Sequence, residues 1–318
     1  MITEKISSMN KKTVIVIAGP TASGKTSLSI GIAKKIGGEI VSADSMQIYK
    51  DMDIATAKPT EAEMQGIPHH LISIVDSDES FSVAAYKEKA VEAIADIFCR
   101  GRIPVVVGGT GLYIDTLVNN TTFFDFDKSD QREKLQMRLQ NEGIEKLFDE
   151  LKSVDPETAE RLHINDTKRI LRALEVYYST GKTISLQAEL SHENESQYNW
   201  LIIGLTAENR DVLYDRINRR VDIMLDDGLI EEAKTFSSSE KSSTAKQAIG
   251  YKELKGFLNG SISLKEATEN LKRETRRYAK RQLTWFRRNK NINWINIDNK
   301  TSEEVLTEAL AIIDVTVK

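Results

Sequence analysis

Residues 19–26 read GPTASGKT, and no other stretch narrows the choice of fold so far. Gly19, Pro20, Thr21, Ala22, Ser23, Gly24, Lys25 and Thr26 fit the pattern G-x-x-x-x-G-K-[ST], which works only between a strand and a helix. Both flanks are present. Thr13–Ala18 (TVIVIA) has the β-branched, apolar composition of a buried strand, and Leu28, Ile32 and Ile36 recur at helical spacing after it. Gly19 and Gly24 permit a tight turn whose amide N–H groups wrap a phosphate, with the helix N-terminus adding its dipole. Lys25 is expected to neutralise terminal phosphate oxygens, and Thr26 to offer its hydroxyl to a magnesium ion. The plain alternative, a Gly-rich turn that binds nothing, fits these flanks poorly. A ligand with two or three phosphates is expected.

The rest of the chain extends a parallel sheet around that loop. Glu39–Ala43 reads as a second strand running into Asp44-Ser45-Met46-Gln47. The crevice of an open α/β sheet lies beyond the carboxyl ends of its strands, so Asp44 is expected beside the loop. Met52–Thr60 is turn-rich. His69 and His70 are adjacent and face opposite ways, which argues against a metal pair, and Ile72–Val75 reads as a further short strand. Val83–Phe98 reads as an amphipathic helix with Cys99, the only cysteine, expected as a small buried apolar side chain beside it. Ile103–Val107 is a buried strand ending in Gly108-Gly109-Thr110-Gly111, where the glycines allow close approach of backbone or ligand. An ATPase of this type usually carries an acid at such a strand end, and here there is none.

From residue 119 to 198 strand-like runs give way to charged helical patterns, so this stretch is read as an all-helical insertion into a core made of 1–118 and 199–318. Within it, Asp166 and Gly181 frame a helix over Thr167–Thr180. Ile170, Leu171, Leu174 and Tyr178 are expected as its apolar stripe, and Lys168, Arg169 and Arg172 as a basic patch at its N-terminal end. Trp200–Leu205 returns the chain to the sheet. Asp211–Phe236 reads as one long helix on which Arg216 and Arg220, four apart, share a face suited to phosphate; salt bridges at the surface are the equal alternative. Ile292–Ile297 reads as the last strand.

Charge is segregated. Between Lys272 and Lys290 nine Lys or Arg stand against the single acid Glu274, a local +8 in a chain of formal charge −4, which leaves −12 elsewhere. Tyr278, Trp285 and Phe286 interleave with the cations, a mixture suited to unpaired bases and RNA backbone. No apolar run is long enough to span a bilayer, and MITEKISSMNKK has no apolar core of a secretory signal. With one cysteine, no intramolecular disulfide can form. A cytoplasmic protein is expected.

In order, GPTASGKT, SADSMQIYKDMDIATAKP, PHHL, GGTGLY, NDTKRILRALEV, IGYKE and TRRYAKRQLTW resemble the motifs of bacterial tRNA dimethylallyltransferases, over most of the chain. The resemblance implies a P-loop NTPase-like core that takes dimethylallyl diphosphate, with Mg2+, and passes the prenyl group to N6 of the adenosine just 3′ of the anticodon. It implies Asp44 as general base, with Lys25, Arg220 and the loop 19–26 on the diphosphate and Thr110 in contact with substrate. It also implies tRNA contacts at Asp44, Ser45, Met46, Gln47, Thr110, Arg132, Lys168, Arg169, Ile170, Leu171, Arg172, Gln247, Gly250 and Lys252. Charge adds Arg276, Arg277, Lys280 and Arg281. The helical insertion would clasp the anticodon stem of a tRNA bound by a monomer. Ala55 and Ser73 depart from the pattern, standing where Gly and Asp are common. A P-loop kinase, a nucleotide-switched RNA-binding protein and a prenyltransferase of free nucleotides are the competing readings.

Overall fold

The computed structural model describes residues 11–125, 129–193, 195–237 and 244–317. The segment read for a secretory signal therefore lies outside the described residues up to position 10. The chain divides into two compact units, residues 1–117 with 197–318, and residues 118–196.

The first unit is built on a six-stranded, wholly parallel sheet. Its strands are β1 (Thr13–Ala18), β2 (Gly38–Ser42), β3 (His69–His70), β4 (Ile103–Gly108), β5 (Asn199–Thr206) and β6 (Ile292–Asn296), in the order β3-β2-β4-β1-β5-β6. β1 lies centrally, with Ile15 opposite both Val105 and Leu201. Its residues from Val14 to Ala18 are all buried, so it is covered on both faces, which is why it reads as a continuous apolar run. Helix α1 (Lys25–Ile36) follows β1 directly. One core joins Ile15, Ile17, Val105, Ile203 and Ile295 of the sheet to Ile32 of α1. Each such isoleucine is worth about 1.5–3 kcal/mol on burial.

Three further helices lead up to the second unit, α2 (Glu61–Met64), α3 (Val83–Cys99) and α4 (Gly111–Val118), and α5 (Ser129–Glu142) opens it. The second unit continues with α6 (Ile144–Val154), α7 (Pro156–Glu160), α8 (Thr167–Thr180) and α9 (Ile184–Glu193). It has its own core of Leu135, Leu147, Leu151, Ala159, Ile170, Ala173 and Leu174. The first unit resumes with α10 (Arg210–Asp226), α11 (Leu229–Ser237), α12 (Tyr251–Leu258), α13 (Leu264–Phe286) and α14 (Ser302–Val317). Val221, Leu229, Leu254 and Leu271 gather α10 to α13 into a separate core with Ile48, Tyr49 and Met52.

Several readings of the sequence are corrected. The short strand is His69–His70, not Ile72–Val75; Leu71 and Ser73 take positive φ of 62° and 53°, so the chain cannot stay extended there. Val75 makes only a single bridge, to Tyr49. The expected long helix over Asp211–Phe236 is two helices, broken at Asp227-Gly228, where Gly228 has φ 102°. Cys99 is exposed rather than buried. The buried face of α3 is Tyr86, Ala90, Ile94 and Ile97, and two residues beyond Ile97 is the far side of a helix. On α8, Tyr178 is 39 % exposed and does not continue the stripe of Ile170 and Leu174. Asp166 does stand at the N-cap position, but its carboxylate accepts from the backbone of His163 and not from the helix.

Candidate active site

The phosphate loop turns between β1 and α1 with the backbone its sequence demands. Gly19 has φ 150° and Gly24 φ 92°, and Ala22 is drawn to φ 62° between them. A side chain at Gly19 would also collide with the carbonyl oxygen of Leu205 at 2.9 Å. Ser23 is buried with its hydroxyl unpartnered, and Thr26 is exposed at the start of α1. The Lys25 ammonium donates to the Pro20 carbonyl at 2.7 Å. Burial, reinforced by the Arg220 charge and opposed by Asp44, lowers its pKa to about 7.

Arg220 reaches the same place from α10. Burial holds its pKa down, against the pull of Asp44 and Glu63, and no described residue hydrogen-bonds it. A half-neutral lysine and a desolvated guanidinium side by side form a site short of an anion.

Asp44 follows the carboxyl end of β2. Its Oδ1 accepts from the backbone N–H groups of Met46 at 2.9 Å and Gln47 at 3.3 Å, which fixes the carboxylate and leaves Oδ2 without a described partner. Thr110, after β4, accepts from the Ser45 N–H at 3.0 Å and donates to the Ser45 hydroxyl at 3.2 Å. Tyr278 lines the same cavity as Gln282, and burial first and Asp44 second push the pKa of its hydroxyl above the usual range, with Thr110, Arg281 and Gln282 acting against the shift. The glycines of the GGTG turn make room for the chain itself. A Cβ on Gly108 would lie 2.1 Å from the Ala43 carbonyl oxygen.

Two adjoining cavities share a wall of Lys25, Thr26, Arg220 and Met224. The first, about 310 Å³, holds Asp44, Gln47, Tyr278 and Gln282 with an apolar lining that includes Val221, Leu229 and Leu271. The second, about 1100 Å³, holds Gly24, Lys58, Arg216 and Arg219. Ala55 and Thr56 line the first cavity and Asp53, Ile54, Ala57 and Lys58 the second, and Glu232 holds this segment by accepting from the N–H groups of Asp53, Ile54 and Ala55 at 2.8–2.9 Å. Ala55 needs no positive φ there, so a side chain is tolerated where the pattern has Gly. Ser73 accepts from Lys58 at 2.7 Å in place of an Asp.

A family model described as IPP transferase matches residues 47–289, and one described as Isopentenyl transferase matches residues 12–80. The chain is 51% identical over 300 residues to the tRNA dimethylallyltransferase of Acetivibrio thermocellus, covering 93% of this chain and 96% of that one. It belongs to the tRNA dimethylallyltransferase family. The tRNA dimethylallyltransferase of Halalkalibacterium halodurans is 47% identical over 300 residues, covering 94% of this chain and 95% of that one. Among solved structures, the full-length tRNA isopentenylpyrophosphate transferase from Bacillus halodurans superposes with a TM-score of 0.71 at 44% identity, covering 96% of each chain. A eukaryotic dimethylallyltransferase acting on tRNA gives 0.78 at 33% identity, covering 95% of this chain and 80% of that one. The first unit thus has the P-loop NTPase-like fold of tRNA isopentenyltransferases.

The residues expected at tRNA are placed unevenly. Asp44, Ser45, Met46, Gln47, Gly250 and Arg281 line the first cavity. Lys252, Arg277 and Lys280 are exposed, and Gln247 lies on the 3-10 turn Ala245–Gln247. In the second unit Arg132, Lys168 and Arg169 are exposed, and Arg172 pairs with Glu175. Ile170 is corrected: it is 0 % exposed and belongs to the helical core, so its side chain serves packing, and Leu171 is half-buried against the same core.

The basic stripe is corrected in part. Lys272 pairs with Asp222 and Arg277 with Glu274, while Arg276 donates to Asn218 at 2.6 Å, so several cations are engaged within the protein. Its aromatics form no stacking platform. Phe286 is in the core, Trp285 donates to Asp115 at 2.8 Å, and only Tyr278 faces a cavity. Reading the sequence missed Gln282 and Glu232. Gln282 had a signal, being a polar residue at i+3 and i−4 from the buried Ala279 and Phe286.

Proposed function

We propose that the protein transfers the dimethylallyl group of dimethylallyl diphosphate to N6 of the adenosine 3′-adjacent to the anticodon of tRNA, releasing diphosphate. The observation that carries this is the pair of cavities meeting at Lys25, Thr26 and Arg220, with the Asp44 carboxylate on one side only. A phosphate-bearing donor enters where the loop and the arginines lie. A flipped base enters the other side, where Gln47, Tyr278 and Gln282 offer polar groups and an aromatic edge.

In this arrangement N6 attacks C1 of the allylic chain, the C1–O bond to the diphosphate breaks, and the proton on N6 passes to Oδ2 of Asp44. The Met46 and Gln47 amides hold Oδ1, so the free oxygen is aimed and not rotating. Lys25 and Arg220 meet the negative charge that grows on the departing oxygen, in a desolvated setting where such charges count most. The apolar lining of the first cavity receives the prenyl methyls.

Among the described residues no group of three or more His, Cys, Asp or Glu could hold a metal. The Thr26 hydroxyl, on the wall that both cavities share, would hold a magnesium ion accompanying the substrate's phosphates. Such an ion supplies positive charge against the diphosphate. The exposed Arg132, Lys168 and Arg169 of the helical unit suit the phosphates of an anticodon stem. Among the described residues no helix is long and apolar enough to cross a membrane; we place the protein in the cytoplasm, as a monomer.

The test is label transfer to unmodified tRNA with magnesium, one arm carrying labelled dimethylallyl diphosphate and the other γ-labelled ATP, with AMP as a competing acceptor. Label moving from the prenyl donor to tRNA alone supports the reading. Label from ATP, or label on AMP, overturns it.

A further inference from the structure

We propose that Gln282 is a positioning residue of this transfer site, locking the phosphate loop and the β4 strand end into one frame from helix α13. The inference rests on the function proposed above. Gln282 is 5 % exposed. Its Oε1 accepts from the N–H of Thr21 at 2.8 Å and its Nε2 donates to the carbonyl of Gly109 at 2.9 Å. One side chain thus ties the loop expected on the diphosphate to the turn that carries Thr110.

A second observation shows the site is shaped to this amide. A Cβ on Gly109 would fall 2.1 Å from Nε2 of Gln282, so glycine there is the condition for the bond. A third comes from the same face of α13. Tyr278, one turn earlier, lines the first cavity together with Gln282.

The chemistry of the residue is specific. A primary amide presents a donor and an acceptor at one fixed separation. Glutamate keeps the acceptor for Thr21 but cannot donate to Gly109; methionine keeps the volume and loses both bonds. The two bonds serve different halves of the site. The Thr21 bond shapes the loop that meets the donor's phosphates, and the Gly109 bond sets Thr110 and, through Ser45, the Asp44 turn. Removing them separately should therefore affect different kinetic constants.

The experiment is steady-state prenyl transfer to tRNA by wild type, Gln282→Glu and Gln282→Met, with rates per folded molecule. Gln282→Glu should keep the KM for dimethylallyl diphosphate within about twofold while kcat falls about tenfold or more, the scale of one buried bond lost beside the chemistry. Gln282→Met should lower kcat similarly and also raise that KM about fivefold or more. Gly109→Ala, whose Cβ would push the whole amide away and so disturb both bonds while residue 282 stays glutamine, should reproduce the Gln282→Met pattern. Wild-type constants in Gln282→Glu, or equal losses in both variants with KM unmoved, would overturn the positioning role. Should Gln282→Met not fold, Gln282→Glu and Gly109→Ala decide alone. Failure of the wild type to prenylate tRNA would instead remove the proposed function, so the two failures are distinguishable.

Discussion

Raising the pH from about 7 to about 9 should weaken the binding of dimethylallyl diphosphate about fiftyfold, because Lys25 must recover a proton to meet the phosphates. The free-site pKa is about 7, set by burial first and by Arg220 second. The charges of the bound diphosphate raise it further and keep the lysine protonated, so affinity falls as 1 + 10^(pH − 7), roughly 2 at pH 7 and roughly 100 at pH 9. The ligand's terminal phosphate, titrating near about 6, is already ionised over this range. At about pH 8 nearly all of the free-site lysine is neutral, so binding should take up about 0.9 proton. The assay is isothermal titration of the RNA-free protein in two buffers of different ionisation enthalpy, which reads the proton count directly. Lys25→Arg keeps its charge throughout and should bind with no uptake and little pH dependence. Equal slopes for the two proteins, or no proton uptake by wild type near pH 8, would refute the reasoning.

Other expectations follow from the same geometry. Asp44→Asn should reduce prenyl transfer about 10²–10⁴-fold, the usual worth of a general base, with tRNA affinity by filter binding within about twofold; near-normal turnover would remove Asp44 from the chemistry. Lys280→Ala, an exposed cation without an ion-pair partner among the described residues, should lower the slope of log affinity against log salt by about 0.7–0.9. Arg276→Ala, whose guanidinium is committed to Asn218, should change that slope less, and the reverse order would contradict the placement of the stripe. Leu174→Ala, fully buried in the helical unit, should cost about 2–5 kcal/mol in urea unfolding of that unit; a loss under about 1 kcal/mol would mean that this core is not close-packed.

What could be read in the sequence was what local spacing determines. The phosphate loop declared itself because its glycines, lysine and threonine are contiguous and its flanking strand and helix are short-range patterns. Asp44 could be placed because a residue following a buried parallel strand lies at the ligand crevice. The helix over residues 211–236 was read through Gly228, since apolar spacing continues across it although the backbone turns. Cys99 looked buried on composition, yet its angular position on α3 faces outward. Gln282 was hidden among cations, and its partners at Thr21 and Gly109 lie 261 and 173 residues away. The same holds for Glu232, which binds the amides at Asp53, Ile54 and Ala55 from a different helix. Side chains that organise a site across long sequence distances carry no local signature. The basic stripe misled in part for the same reason, because Asp222 and Asn218, which occupy two of its cations, come from α10.

The central claim is the transfer of a five-carbon group to one adenosine of tRNA, and nucleoside-resolved mass spectrometry of the product tests it most directly. Unmodified tRNA incubated with the protein, magnesium and dimethylallyl diphosphate should yield N6-dimethylallyladenosine at the position 3′-adjacent to the anticodon, and at no other. Unchanged RNA, or the same group on another nucleoside, would contradict the account.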